Sequence, residues 1–235
     1  MDYRHELKYY LGKKDAYILT QRLSSALPRD AHCGDSGYAV ASLYFDNMYL
    51  NAYYQKINGI SERDKIRVRV YDDSKGLIRL EIKKKRESYV QKESAQISLE
   101  AYQSMVRGDT GFPPEWIDRK NPALNQYMAV ANTGMLKPVV IVDYRRQVFV
   151  GPGDLRVSFD EGLRLAADSV DLFAANKGYL SVLPEDTVIM EVKYASFLPA
   201  YVDALLSGVR VQRASVSKYT LCVDKLKEVR HYAQY

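Results

Sequence analysis

Apolar and polar residues alternate strictly over some runs of this chain, and over others apolar residues return every three or four positions. In "DKIRVRVYDDSKGLIRLEIKKKR", residues 64–86, Ile66, Val68 and Val70 alternate with Lys65, Arg67 and Arg69, and Ile78, Leu80 and Ile82 with Arg79, Glu81, Lys83 and Lys85. Period two puts successive side chains on opposite faces of a strand. The intervening "DDSKG" tolerates tight, left-handed turns, so the two runs predict an antiparallel hairpin whose basic faces coincide. The same period predicts strands at 2–11, 40–46, 64–71, 77–84, 88–92, 138–150, 155–160 and 187–194. Helical spacing predicts helices at about 13–27, 98–107, 121–132, 197–206 and 217–232, the first entered after Gly12 and the last after the capping-type Ser217. Gly108, Gly111, Pro113, Pro114 and Pro122 mark 108–122 as a surface connection. The expectation is an α+β fold, an antiparallel β-barrel braced by flanking α-helices, formed by residues 1–235 as a single domain.

Composition narrows the class without naming a reaction. The 235 residues are 47% hydrophobic and 27% charged, which suits an ordinary globular protein with a sizeable core. The net charge of +5 permits an anionic partner without demanding one. The opening "MDYRHELKYY" lacks the apolar core of a secretory signal, and the longest apolar run, "VVIV", is too short to span a bilayer, so a cytoplasmic protein without membrane insertion is expected. Cys33 and Cys222 lack ligand spacing, and His5, His32 and His231 offer neither a zinc pattern nor a conventional triad. With no Walker or GxGxxG motif, any phosphate must be handled by side chains.

One acid–base pattern recurs, in "ELK" (Glu6–Lys8), "EIK" (Glu81–Lys83) and "EVK" (Glu191–Lys193). In a strand each pair shares one face. Arg146, Arg156 and Lys218 extend the charged faces along the whole chain. The wet face of a sheet packed on one side accounts for a single such hairpin. So many bases suit a charged interior better, and buried cations repel unless an anion compensates them. A triphosphate or longer phosphate chain would do so, because guanidinium forks grip phosphate oxygens in pairs and ammonium groups add point charges. Carboxylates among these bases then suit Mg2+ or Mn2+, hard cations that bridge carboxylate and phosphate oxygens. Tyrosines offer stacking surfaces for nucleic acid, but many occupy core-like positions as in "KYYL", and a closed tunnel would exclude a duplex, so no nucleic-acid partner is expected.

The strings "RHELKYYL", "SLYFDN", "KIRVRVY", "LEIKKKR", "VVIVDYRRQVF", "GDLRVSFD", "IMEVKY" and "SVSKYT" resemble, in order, the motifs of the VTC-type polyphosphate polymerase domain, a CYTH-like branch of the triphosphate tunnel metalloenzymes. The resemblance implies an antiparallel β-barrel tunnel and transfer of the γ-phosphate of ATP to inorganic polyphosphate with Mn2+ or Mg2+. Position by position, it implies catalytic roles for Arg67, Arg69, Lys83, Arg146 and Arg156, and substrate binding by Lys8, Lys193, Lys218 and Glu81, with Glu191 holding the metal. In "YVQKESAQISL", where the family carries closely spaced bases, only Lys92 is a candidate, and Ser215 stands where the polymerases carry another Lys. The same site with water as acceptor would be a triphosphatase or nucleoside triphosphatase, and without chemistry a polyphosphate-binding module.

Overall fold

A computed structural model of the chain describes residues 5–87, 89–117, 120–195 and 197–232. The predicted strand start at 2–4, position 88 of the run at 88–92, and residues 118–119 of the 108–122 connection lie outside them. In chain order the elements are β1 (His5–Gly12), α1 (Lys13–Ala26), β2 (Tyr38–Asn47), α2 (Asn51–Ile57), β3 (Arg63–Tyr71), β4 (Ile78–Arg86), β5 (Tyr89–Ile97), α3 (Leu99–Arg107), α4 (Pro122–Ala131), β6 (Leu136–Gly151), β7 (Leu155–Ala166), β8 (Tyr179–Ser181), β9 (Thr187–Tyr194), α5 (Ala200–Leu206), β10 (Gln212–Arg213) and α6 (Lys218–Tyr232). Each predicted strand and helix is met by an element of its type, while α2, β8 and β10 were not expected. The predicted helix at 197–206 starts later, at Ala200, because a residue before proline avoids helical backbone and Pro199 stands at that boundary.

The chain divides into two compact units, one of Met1–Ala39, Tyr144–Leu163 and Leu183–Ser217, the other of Val40–Asp143, Arg164–Val182 and Lys218–Tyr235. In the first unit the strand order is β10, β1, β9, β7, β6. The register sets Lys8 opposite Glu191 and Glu6 opposite Lys193, with Arg156 opposite Lys193 and Ser158 opposite Glu191. Their apolar faces, with Phe149, Val157, Phe159, Val188, Met190 and Val192, pack with Leu19 and Leu23 of α1 and Val202 of α5.

In the second unit the order is β6, β2, β3, β4, β5, with β8 beside the end of β7. The predicted hairpin forms: Ile66 faces Ile82, Val68 faces Leu80, and Arg67 faces Glu81. Asp72 and Asp73 take left-handed backbone at φ of 47° and 54° in its turn, a conformation that Asp tolerates better than most residues. Val68, Val70, Leu80 and Ile82 are fully buried with Tyr102 and Met105 of α3 and Tyr127 of α4. Each such side chain contributes roughly 1.5–3 kcal/mol by leaving water. Ser98 caps α3 by accepting from the Ala101 amide at 3.1 Å, and Asn121 caps α4 through Leu124.

The sheet is antiparallel and large, as expected, but the expected closed barrel is not what the ladders give. Among the described residues the strand order ends at β5 on one side and β10 on the other, and neither carries a second ladder. β10 is only two residues long, too short to close a sheet. β5 carries Gln91, Lys92 and Glu93 in succession, and charge of this kind discourages further pairing along an edge.

Candidate functional site

Glu81 is the centre of the second unit's charged face. Strand alternation turns it away from Leu80 and Ile82, and the register brings Arg67 directly opposite. Its Oε2 accepts from Arg67 Nε at 2.7 Å and lies 2.6 Å from Nη2, with Arg69 Nη1 at 3.8 Å, while Oε1 accepts from Lys92 at 3.0 Å. Burial alone would raise the carboxyl pKa, but Arg67, Arg69 and Lys92 outweigh it and hold the group well below the usual carboxylate range. Glu81 is therefore an anion that aligns three cations. Lys83, half-buried on the same face, lies across from Lys65 on one side and Lys92 on the other.

The sequence did not single out the groups that fix these cations from beneath. Arg67 donates to the Tyr44 hydroxyl at 2.8 Å and Arg69 to Ser42 at 3.0 Å, both from β2. Tyr44 stacks on Tyr219 with ring centroids 5.0 Å apart, and the Tyr219 hydroxyl donates to Asp46 at 2.6 Å. Asp46 also accepts the Ala52 and Tyr53 amides, tying the first turn of α2 to the same network. Burial would raise the Tyr44 pKa, yet the charges of Arg67, Arg69 and Lys218 lower it. Lys218, buried at the first position of α6, thus acts on the same group as the two arginines.

In the first unit the buried Glu191 has the corresponding place. Its carboxylate lies 3.1 Å from Lys193, 3.7 Å from Lys8 and 3.7 Å from Arg146. Lys193 and Lys8 also reach Glu6, at 3.4 and 3.8 Å. Arg146 forks onto Asp160 at 2.6 and 2.7 Å. Burial of Arg146 would favour losing its proton, but Asp160, Tyr144 and Glu191 overcome this and raise its pKa well above the ordinary value. Arg156 is held by Asp30 at 2.8 Å. Gly37 fits against Arg146 because it lacks a side chain: its φ is +73°, and a Cβ there would stand 2.3 Å from the Arg146 carbonyl oxygen.

The predicted residues thus gather in two sets, Lys8, Arg146, Arg156, Glu191 and Lys193 in one unit and Arg67, Arg69, Glu81, Lys83, Lys92 and Lys218 in the other. Besides Glu191, the carboxylates of Glu6, Asp160 and Asp30 balance the bases of the first unit. Period two offered a signal for Asp160, which follows Arg156 and Ser158 on one face, and the "ELK" repeat for Glu6. Among the described residues there is no cluster of three or more His, Cys, Asp or Glu able to cage a metal. Glu191 and Glu6, both paired with Lys193, are the carboxylates of this unit that could serve a hard cation of the kind bound through one or two carboxylates and substrate phosphates. Cavities of about 500 Å³ beside Phe112 and Trp116 and about 370 Å³ beside Asp46 and Arg63 are lined by none of the predicted residues.

No curated protein matches the chain. Among solved structures it is similar to HpAC1 from Hippeastrum, an adenylyl cyclase candidate described as having a dominant triphosphatase activity, at 15% identity and a TM-score of 0.57, covering 96% of each chain. It is also similar to the PH1819 protein from Pyrococcus horikoshii OT3, at 11% identity and a TM-score of 0.48, over 95% of this chain and 99% of that one. A candidate adenylate cyclase from Bacillus halodurans shows 10% identity and a TM-score of 0.48, over 87% and 85% of the two chains. The likeness to HpAC1 is one of fold. The family model described as the VTC domain matches residues 3–227. With nearly its whole length matched, the chain belongs to the VTC domain family.

Proposed function

We propose that the protein is a metal-assisted phosphotransferase that passes the γ-phosphate of ATP to an inorganic polyphosphate chain. The observation that supports this most is the repeated device of a buried glutamate surrounded by cations, Glu81 with Arg67, Arg69 and Lys92, and Glu191 with Lys193, Lys8 and Arg146. A buried carboxylate keeps guanidinium and ammonium groups desolvated, aligned and charged, which is the preorganisation that charge developing on a phosphoryl group requires. In the second unit Arg67, Arg69 and Lys83 grip phosphate oxygens, with Lys92 and Lys218 as further phosphate-binding bases, and in the first unit Arg146 and Arg156 do so, with Lys8 and Lys193. Glu191, with Glu6, would hold Mn2+ or Mg2+, which supplies Lewis-acid neutralisation of phosphate oxygens. The terminal oxygen of the acceptor chain attacks the γ-phosphorus in line, the bond from that phosphorus to the bridging oxygen breaks, and ADP leaves. No protein nucleophile is needed. Catalysis is positioning and neutralisation.

The triphosphatase activity ascribed to HpAC1, which shares the fold, supports a second reading in which water is the acceptor. Incubation with ATP and Mn2+ or Mg2+, followed by separation of long polyphosphate from orthophosphate, decides between them. Long chains with ADP are expected. Orthophosphate alone would assign the hydrolytic reading, and unchanged ATP would leave a binding module. On either enzymatic reading the expected location is the cytoplasm, where ATP is supplied. Separately, among the described residues no helix is long and apolar enough to cross a membrane.

A further inference from the structure

Two tyrosines are stacked beside the cations of the second unit, and their hydroxyl protons have different fates. Tyr219 on α6 donates to Asp46 Oδ2 at 2.6 Å, so its proton is committed within the protein. Tyr44 on β2 lies against that ring with centroids 5.0 Å apart and planes 22° apart. Its hydroxyl oxygen is 2.8 Å from Arg67 Nη1. A guanidinium has donors only, so in this bond Tyr44 can only accept. A phenol also carries one proton of its own, and among the described residues no acceptor takes that of Tyr44. A buried donor without an acceptor is costly, and the oxygen of a phosphate, which only accepts, would relieve it. Of the groups around the hydroxyl, Arg67 is the one that solvent reaches most, while Arg69, Lys218 and Tyr219 are buried.

We infer that Tyr44 is a substrate-binding residue, whose hydroxyl donates to an oxygen of the phosphate that Arg67 holds while it accepts from Arg67 itself. This rests on the proposed reading, in which Arg67 and Arg69 grip phosphate, and deepens it by adding a neutral donor to the charged ones. An oxygen bonded to a guanidinium nitrogen lies within reach of a hydroxyl 2.8 Å from that nitrogen. Burial raises the Tyr44 pKa, but the charges of Arg67, Arg69 and Lys218 outweigh it and lower the value, which strengthens the hydroxyl as a donor. The proton stays on the tyrosine oxygen throughout, so no other group has to take it up when ADP leaves.

Calorimetric titration with tripolyphosphate at fixed ionic strength tests this on the full chain, on Tyr44→Phe, on Arg67→Gln and on the variant carrying both substitutions. Tyr44→Phe keeps the stacked ring and is expected to bind about tenfold more weakly, the scale of one hydrogen bond to a charged group. The variant carrying both separates contact from positioning. If the hydroxyl served only to hold Arg67, its loss would count for nothing once Arg67 is gone, whereas a direct bond predicts a further loss of more than about twofold beyond Arg67→Gln alone. Arg67→Lys supplies the second background should Arg67→Gln fail to fold. A loss of about twofold or less in Tyr44→Phe, or in the variant carrying both relative to its Arg67 background, would overturn the inference while leaving the proposed function standing. An unsubstituted protein that does not bind tripolyphosphate would overturn both.

Discussion

Replacing Glu81 with Gln separates a carboxylate that balances the cations from one that merely decorates a wet sheet. The substitution keeps the shape, and it leaves Arg67, Arg69 and Lys92 around a neutral amide. Glu81 is 3% exposed, Arg69 7% and Arg67 23%, so water screens these three little, whereas Lys92, half exposed, is screened and adds little to the cost. Removing one partner of a buried ion pair costs roughly 3–5 kcal/mol, and the low end applies because the amide oxygen still accepts a hydrogen bond. In a protein of this length a loss of about 3 kcal/mol lowers Tm by roughly 6–12 °C. The matching control is Glu228→Gln, whose pair with Lys225 is half open to solvent and should move stability by less than about 0.5 kcal/mol. The pH dependence has a definite sign. Burial is outweighed by Arg67, Arg69 and Lys92, so the folded carboxyl titrates below its unfolded value. Its contribution is complete above about pH 5 and is lost as the pH falls below about 4 toward the depressed folded value. Urea unfolding at pH 7 and at pH 3.5 should therefore show a wide gap between the two proteins and then a narrower one. Tripolyphosphate should bind the variant more tightly, by roughly tenfold, since an anion then takes the place of the lost charge. A variant as stable as the parent at pH 7, or one that binds tripolyphosphate more weakly, would refute the reasoning.

Arg146→Ala should destabilise by roughly 3–5 kcal/mol because it strands Asp160, while adding Asp160→Ala should recover much of the stability but not turnover, as read by urea titration beside an ATP assay. Arg67→Ala should lower turnover at least about 100-fold, the scale for one lost charge-stabilising donor, measured as ADP release; near-normal activity would return this face to a wet-sheet role. Glu191→Gln should abolish metal-dependent turnover with the fold retained, checked by activity across a Mn2+ titration and by circular dichroism. Gly37→Ala should cost at least about 1–3 kcal/mol from its left-handed backbone, and more from the approach to the Arg146 carbonyl, visible as a lower Tm.

The strands were legible because burial on one face enforces period two, and a slip of one residue in β3 would have buried Arg67 in place of Val68. The elements that escaped are those with no period to read. α2 has seven residues, follows Leu50 in left-handed backbone, and is started by Asp46, which lies on the preceding strand rather than at the capping position. β10 exists only because Tyr9 and Tyr10 offer it a ladder. The cations of the candidate site were legible as alternating bases, whereas their partners depend on which strand lies beside which. Arg156 meets Asp30 across 126 positions of sequence, and Tyr219 meets Asp46 across 173. Closure of the sheet was the over-reading, since a count of strands does not say whether the last has a neighbour.

The claim that these charges exist to hold phosphate chains is tested most directly by thermal unfolding with tripolyphosphate and with orthophosphate at equal ionic strength. At about 100 times its dissociation constant, tripolyphosphate should add roughly 2.7 kcal/mol and raise Tm by about 5–10 °C, while orthophosphate, unable to bridge successive cations, should do much less. Equal shifts from the two anions over the full concentration range, as screening alone would produce, would contradict it.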